Sequence, residues 1–185
     1  FAVGDGNHSL ATAKKCWEEL KKTLTPQQQK DHPARYALCE IVNLHEESML
    51  FEPIHRVLFQ VDTADFLKAL KGIEGNSGQT CTVLMDSSEQ AVCLKPSHTL
   101  TVGTLQRFLD EYLQAHPGVR IDYVHEAEQV KKLAKEANTV GILLPAIQKE
   151  TLFPAVQENG PLPRKTFSMG MGQDKRYYLE ARKIR

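Results

Sequence analysis

No two of the four cysteines, Cys16, Cys39, Cys81 and Cys93, lie close enough to form a C-x-x-C pair. Zinc ribbons and dithiol redox motifs need such pairs, so neither is supported. Each cysteine sits among apolar neighbours, as in Tyr36-Ala37-Leu38-Cys39 and Cys81-Thr82-Val83-Leu84, which reads as buried structural thiols in a reducing compartment. Also missing is any apolar run near the roughly 20 residues of a membrane span, and no signal-peptide pattern is present. The cytoplasm is therefore the expected location, with no membrane partner. An excess of charge of one sign is lacking too: Lys plus Arg and Asp plus Glu both total 23. Proteins that grip a polyanion usually show a clear basic excess, so nucleic acid is not the expected partner.

What the chain does have is ordinary globular material. It holds 185 residues, 41% of them apolar and 25% charged, enough for a real core. It begins with Phe, and Phe1-Ala2-Val3 reads as a strand end running straight into a glycine-rich turn, as in the downstream part of a longer chain. From Ser9 the apolar residues Leu10, Ala13, Trp17 and Leu20 recur at helical spacing, with Asn7 or Ser9 as cap. Thr25-Pro26 starts a second helical piece, which Asp31-His32-Pro33 breaks. Tyr36 to Leu44 reads as a central strand, and Val57 to Val61 as a shorter one. A helix over 62–70 follows, capped by Asp62 or Thr63 and ending near Gly72. Gln79 to Met85 and Ala91 to Leu94 form a hairpin through Asp86-Ser87-Ser88-Glu89. Helices are expected over 102–115, 126–137 and 149–157, and strands over 120–124 and 139–144. The fold class is α/β, a mixed sheet with helices packed in layers, and the whole chain reads as one unit.

Gly4-Asp5-Gly6-Asn7-His8-Ser9 lies where the first strand meets the first helix. A helix start presents unpaired N–H groups and partial positive charge, which suit an anion. Gly4 and Gly6 let the backbone bend and let a phosphate approach. His8 could donate to a phosphate oxygen, while Asp5 could hold a metal ion or accept a proton. The plain alternative is a turn whose Asp and Asn bond their own backbone.

The stretch Ala2 to Ala13 resembles the strand-turn-helix motif Asp-Gly-His-His-Arg of the ParB, sulfiredoxin and free serine kinase superfamily. It is more similar still to a largely uncharacterised family, domain of unknown function one thousand and fifteen. Two further landmarks of that family follow in order: Glu52-Pro53-Ile54-His55-Arg56, and Pro163-Arg164-Lys165-Thr166-Phe167-Ser168. Members are about twice this length with the motif near the middle, so the resemblance implies that the chain is the family's C-terminal half. It also implies a ParB/sulfiredoxin-like element at the start, and phosphates cradled at Asp5, Gly6, Asn7 and His8. Asn7 stands where the superfamily motif has His, and Ser9 where it has Arg. Losing that Arg removes a cation able to pair bidentately with phosphate. Sulfiredoxin chemistry needs a cysteine inside the turn, and none is present.

On residues alone, His55-Arg56 is either an anion-binding pair or a staple for a loop. Arg164 and Lys165 with Thr166, in a segment that ends in two glycines, are good anion-binding material; a solvated loop is the alternative. The tail from Asp174 to Arg185 is basic with two tyrosines, compatible with nucleic acid but more in keeping with a mixed-charge surface. His32, His45, His98, His116 and His125 have no metal-ligand spacing and read as scattered surface or loop residues. The expectation is a nucleotide- or phosphometabolite-binding protein, a phosphotransferase-like enzyme using a nucleotide with Mg. Asp5 and His8 would be its catalytic residues, and Gly4, Gly6, Asn7, Ser9, His55, Arg56, Arg164, Lys165 and Thr166 its binding residues. The alternative is a non-enzymatic, nucleotide-gated or DNA-associated module.

Overall fold

Strand and helix signals alternate from residue 51 onward, and there the chain forms a layered α/β fold. The structure, a computed structural model, describes residues 1–4, 6–86 and 88–170. The chain divides into two compact units, one containing Phe1–Glu46 and the other Glu47–Met171, where the sequence reads as one.

The first unit is helical. Helix α1 (Asn7–Leu20) runs into a 3-10 turn, Lys21–Thr23, and α2 (Pro26–Asp31) follows. Thr25 and Gln28 make a reciprocal capping box, and Pro26 at the first helical position costs no hydrogen bond. Gln29 Nε2 donates to the carbonyls of Lys21 (2.9 Å) and Leu24 (3.1 Å), fastening α2 to the preceding turn. The strands expected at Phe1–Val3 and Tyr36–Leu44 do not form. Leu38 and Ile41 are 85% and 77% exposed. An extended segment becomes a strand only by pairing its backbone groups, and this unit has no strand among its described residues.

The second unit is built on a five-stranded antiparallel sheet. Its strands are β2 (His55–Phe59), β3 (Glu74–Met85), β4 (Ser88–Leu94), β5 (Arg120–Val124) and β6 (Thr139–Leu143). They lie in the order β4-β3-β6-β2-β5. A separate two-stranded ladder pairs β1 (Phe51–Pro53) with β7 (Phe167–Met169). Helices α3 (Thr63–Lys71) and α4 (Thr101–Ala115) cover one face, burying Phe66, Leu70, Leu105 and Leu109 against Leu58, Val83 and Ile142. Ala155 of α6 (Lys149–Asn159) joins that core. Helix α5 (Ala127–Leu133) covers the other face, with Val130 and Ala134 against Val57 and Leu84.

Local signals account for the boundaries. Asp62 caps α3, its Oδ1 accepting from the N–H groups of Ala64 (3.0 Å) and Asp65 (3.1 Å). Asp86 takes the left-handed conformation, φ 49°, that a tight hairpin turn requires. Cys81 is buried in the core and its thiol is pushed up to about 12 by burial, so it is inert. Cys39, expected to be buried, is exposed because its segment joins no sheet.

At the centre of β6, Gly141 leaves room for α5 to lie close. A Cβ there would meet Val130 Cγ1 at 2.8 Å and Ala134 Cβ at 3.1 Å. Gly141→Ala should therefore cost about 1–3 kcal/mol by overpacking. A lower urea midpoint with an unchanged slope, followed by circular dichroism, is the expected result; an unchanged midpoint would contradict this packing.

Candidate anion site

The two-residue period of a strand sends adjacent side chains to opposite faces. His55 and Arg56 at the start of β2 are parted in this way. Arg56 shares its face with Leu58 and reaches α4, whereas His55 shares its face with Val57. Arg56 is completely buried. Its Nε donates to Gln106 Oε1 (3.2 Å), and its Nη1 donates to the carbonyls of Ile54 (2.5 Å) and Lys165 (2.9 Å). The ring of Tyr123, its cross-strand neighbour on β5, has its centroid 4.8 Å from the guanidinium carbon. The remaining nitrogen, Nη2, is buried without a hydrogen-bond partner among the described residues. Burial pulls the guanidinium down from 12.5 to about 10, opposed by Tyr123 and Asp110 and assisted by the charge of Arg164. It stays charged at neutral pH. Leaving a buried donor unpaired costs about 1–3 kcal/mol, and more when the group is charged.

A second element is brought here by the small ladder. Strands β1 and β7 place Pro53 opposite Phe167, and the rings of Phe51 and Phe167 stack with centroids 4.3 Å apart. The turn just before β7 therefore lies beside the start of β2. Thr166 closes that turn, its hydroxyl donating to the Pro163 carbonyl (2.5 Å). Lys165 adopts φ 55°, an uncommon conformation for a residue with a side chain, and its carbonyl is the one held by Arg56. Arg164 donates from Nε to the Tyr123 hydroxyl (3.1 Å), with its guanidinium carbon 5.5 Å from the ring centroid. Both Arg164 and Lys165 are exposed. The structure thus gathers Arg56, Arg164, Lys165 and Thr166, residues 108 or more positions apart from Arg56 in the chain.

Three members escape a reading of motifs: Tyr123, Gln106 and Asp110. Gln106 Nε2 donates to Asp110 Oδ1 (2.9 Å), which orients the amide oxygen toward Arg56. The available signal was a Gln at a buried position of α4, on the same helix as Leu105 and Leu109. His55 plays a different part. Its Nδ1 accepts from the Leu144 N–H (3.1 Å), so the proton of the neutral ring sits on Nε2. Burial, then the charges of Arg56 and His125, hold its pKa below 6.5.

The opening turn belongs to the first unit. Gly6 caps α1 in the left-handed region, φ 75°, while Asn7, His8 and Ser9 lie within the helix. The expected side-chain cap from Asn7 or Ser9 is absent, because Gly6 takes the cap position and has no side chain to offer. Gly4 is exposed, and Asp5 lies outside the described residues, as does the tail from Asp174 to Arg185. His98, expected at the surface, is buried with Nδ1 accepting from the Leu100 N–H (3.0 Å). Among the described residues, no group of three or more His, Cys, Asp or Glu is placed to hold a metal ion.

The model of a family described as protein of unknown function (DUF1015) matches residues 1–184. Because the match runs over nearly the whole chain, the expected restriction to the family's C-terminal half is not borne out. Among curated proteins, none matches the chain. A conserved hypothetical protein from Pyrococcus furiosus is similar in structure, with TM-score 0.52 and 16% identity, over 72% of this chain and 61% of that one. So is a mutant free serine kinase in complex with AMP, with TM-score 0.54 and 15% identity, over 71% of this chain and 58% of that one. Its complex with ADP gives TM-score 0.53 and 12% identity over the same shares. The chain thus spans about three-fifths of the solved structures it resembles, and the likeness is one of fold. No ParB or sulfiredoxin structure is among these neighbours.

His55 and His98 are both held below 6.5 chiefly by burial. The unfolded chain then binds more protons than the folded one at mildly acid pH, so stability present above about 6.5 is lost as pH falls below it. Gln at position 55 can still accept from Leu144 but does not titrate. His55→Gln should make the fall in denaturation midpoint between about pH 6.5 and 5 shallower, with His98 supplying the remainder. An unaltered slope would refute the assignment.

Proposed function

The chain belongs to the DUF1015 family of proteins of unknown function, and we propose that it binds a nucleotide or phosphorylated small molecule at Arg56, Arg164 and Lys165. The observation that carries this reading is Arg56 Nη2, a charged donor buried with no partner among the described residues. An anion accepting from it would turn a cost into a charge-assisted hydrogen bond. Arg164 and Lys165 add two exposed cations, and neither Lys165 Nζ nor the Arg164 Nη groups have a hydrogen-bond or ion-pair partner among the described residues. The structural neighbour solved with AMP and ADP gives nucleotides priority among the candidates.

The Gly4–Ser9 segment of the first unit is proposed, by itself, as an anion-binding element. Helix α1 starts there without a side-chain cap hydrogen bond and with no acidic residue in its first turn, and the partial positive charge of a helix start suits an anion. In a phosphotransferase, Asp5 and His8 would do acid–base work. A Mg ion arriving with a nucleotide would draw most of its ligands from phosphate and water. Phosphoryl transfer asks mainly for positioning and charge neutralisation, which these residue types supply.

One observation favours a second reading, a non-enzymatic, nucleotide-gated module. Asp110, the carboxylate beside Arg56, is engaged with Gln106, and His55 faces away. The described cluster is thus equipped to hold an anion rather than to move a proton. Turnover would then depend on Asp5 and His8, and Asp5→Asn or His8→Ala should abolish it if the protein is an enzyme.

A thermal-shift series with AMP, ADP, ATP and phosphorylated metabolites tests the binding. A ligand at 100 times its Kd should add about 2.7 kcal/mol of stability. Arg164→Gln and Lys165→Gln should each weaken it roughly tenfold or more, the equivalent of one charged hydrogen bond. Unchanged affinity in both variants, measured by calorimetry, would sink the assignment.

A further inference from the structure

We infer that the guest of this cluster is the terminal phosphate of a monoester, a dianion presented end-on, and not a carboxylate or a phosphodiester. The inference rests on the anion site proposed above and names the chemistry of its ligand.

Charge is the first argument. Arg56, Arg164 and Lys165 stand against Asp110, which leaves two positive charges unmatched. The other groups around Arg56 do not alter this. Tyr123 on β5 offers its ring face and its hydroxyl, Gln106 on α4 is an amide, and His55 on β2, held below 6.5 by burial, is an uncharged imidazole on the opposite face. A phosphate monoester carries close to two negative charges at neutral pH, whereas a carboxylate or a diester carries one.

Donor geometry is the second argument. A guanidinium grips a carboxylate best side-on, through two nitrogens at once. Arg56 cannot do so, because Nε is held by Gln106 and Nη1 by Ile54 and Lys165, leaving Nη2 alone. Single donors from separate side chains suit a tetrahedral group with three terminal oxygens. A diester has two such oxygens and a substituent on each side.

Depth is the third argument. Arg56 is wholly buried while Arg164 and Lys165 are exposed. A group that meets all three must enter by one end and leave the rest of its molecule at the rim. An internal phosphate of a nucleic-acid strand has no such end.

The test is an NMR titration of the full chain with methyl phosphate, dimethyl phosphate and acetate, between about pH 5.5 and 8, across the second ionisation of the monoester. Methyl phosphate should bind at least tenfold more tightly than either monoanion at the upper pH. Its advantage should shrink toward equality as the pH falls and it takes up a proton. Arg164→Gln and Lys165→Gln, both at exposed positions, should erase most of that preference, and they keep the test valid if Arg56→Gln fails to fold. Equal affinity for monoester and diester, or a monoester affinity that does not change with pH, would overturn the inference while leaving an anion site in place. No response to any of the three would remove the site and the inference together.

Discussion

A single buried cation holds the second unit's chemistry in place. Arg56 Nη1 donates to two carbonyls at once, that of Ile54 two residues before it and that of Lys165 at the far end of the unit. A charged group inside a protein is expensive unless its donors are matched, and the surrounding residues are arranged to match them. Gln106 is oriented by Asp110, Tyr123 offers its ring face, and Lys165 accepts a strained backbone angle that turns its carbonyl inward. Three of the five N–H groups have somewhere to go. The remaining two, both on Nη2, give the cluster its character, since a solely structural arginine gains nothing from an orphan.

The same economy explains why the site is made from distant parts of the chain. The ladder of β1 and β7 is three residues long on each side, too short to be stable alone. It gains from the stacked rings of Phe51 and Phe167 and from Gly170 donating to the Leu50 carbonyl (3.0 Å). Carboxylates outnumber Lys and Arg within Glu47–Met171, so the positive potential is a local feature against an acidic background.

Much of the second unit could be read from sequence because its signals are local. Asp62 as a cap, the strand over 120–124 and the apolar stripe of α4 each follow from spacing within a few residues. Where pairing is long-range, spacing says little. Nothing within Phe51–Pro53 announces a partner at Phe167–Met169. Tyr36 to Leu44 has the composition of a central strand, yet composition cannot supply the neighbouring backbone that a strand requires. The motif residues His55 and Arg56 were legible as a pair, but strand geometry divides them between two faces and two tasks. Tyr123 was invisible as a site residue, since a tyrosine beside Val124 in a strand reads first as packing.

The closing ladder has a mechanical consequence. Both ends of the second unit pass through one short pair of strands, so a force that pulls them apart falls first on the pairing of Phe51–Pro53 with Phe167–Met169. Parting those strands would loosen the Arg164–Thr166 turn from Arg56 while the five-stranded sheet, loaded elsewhere, kept its ladders. In this molecule the hold of Arg56 on that turn and the seal between the unit's two ends are one and the same joint.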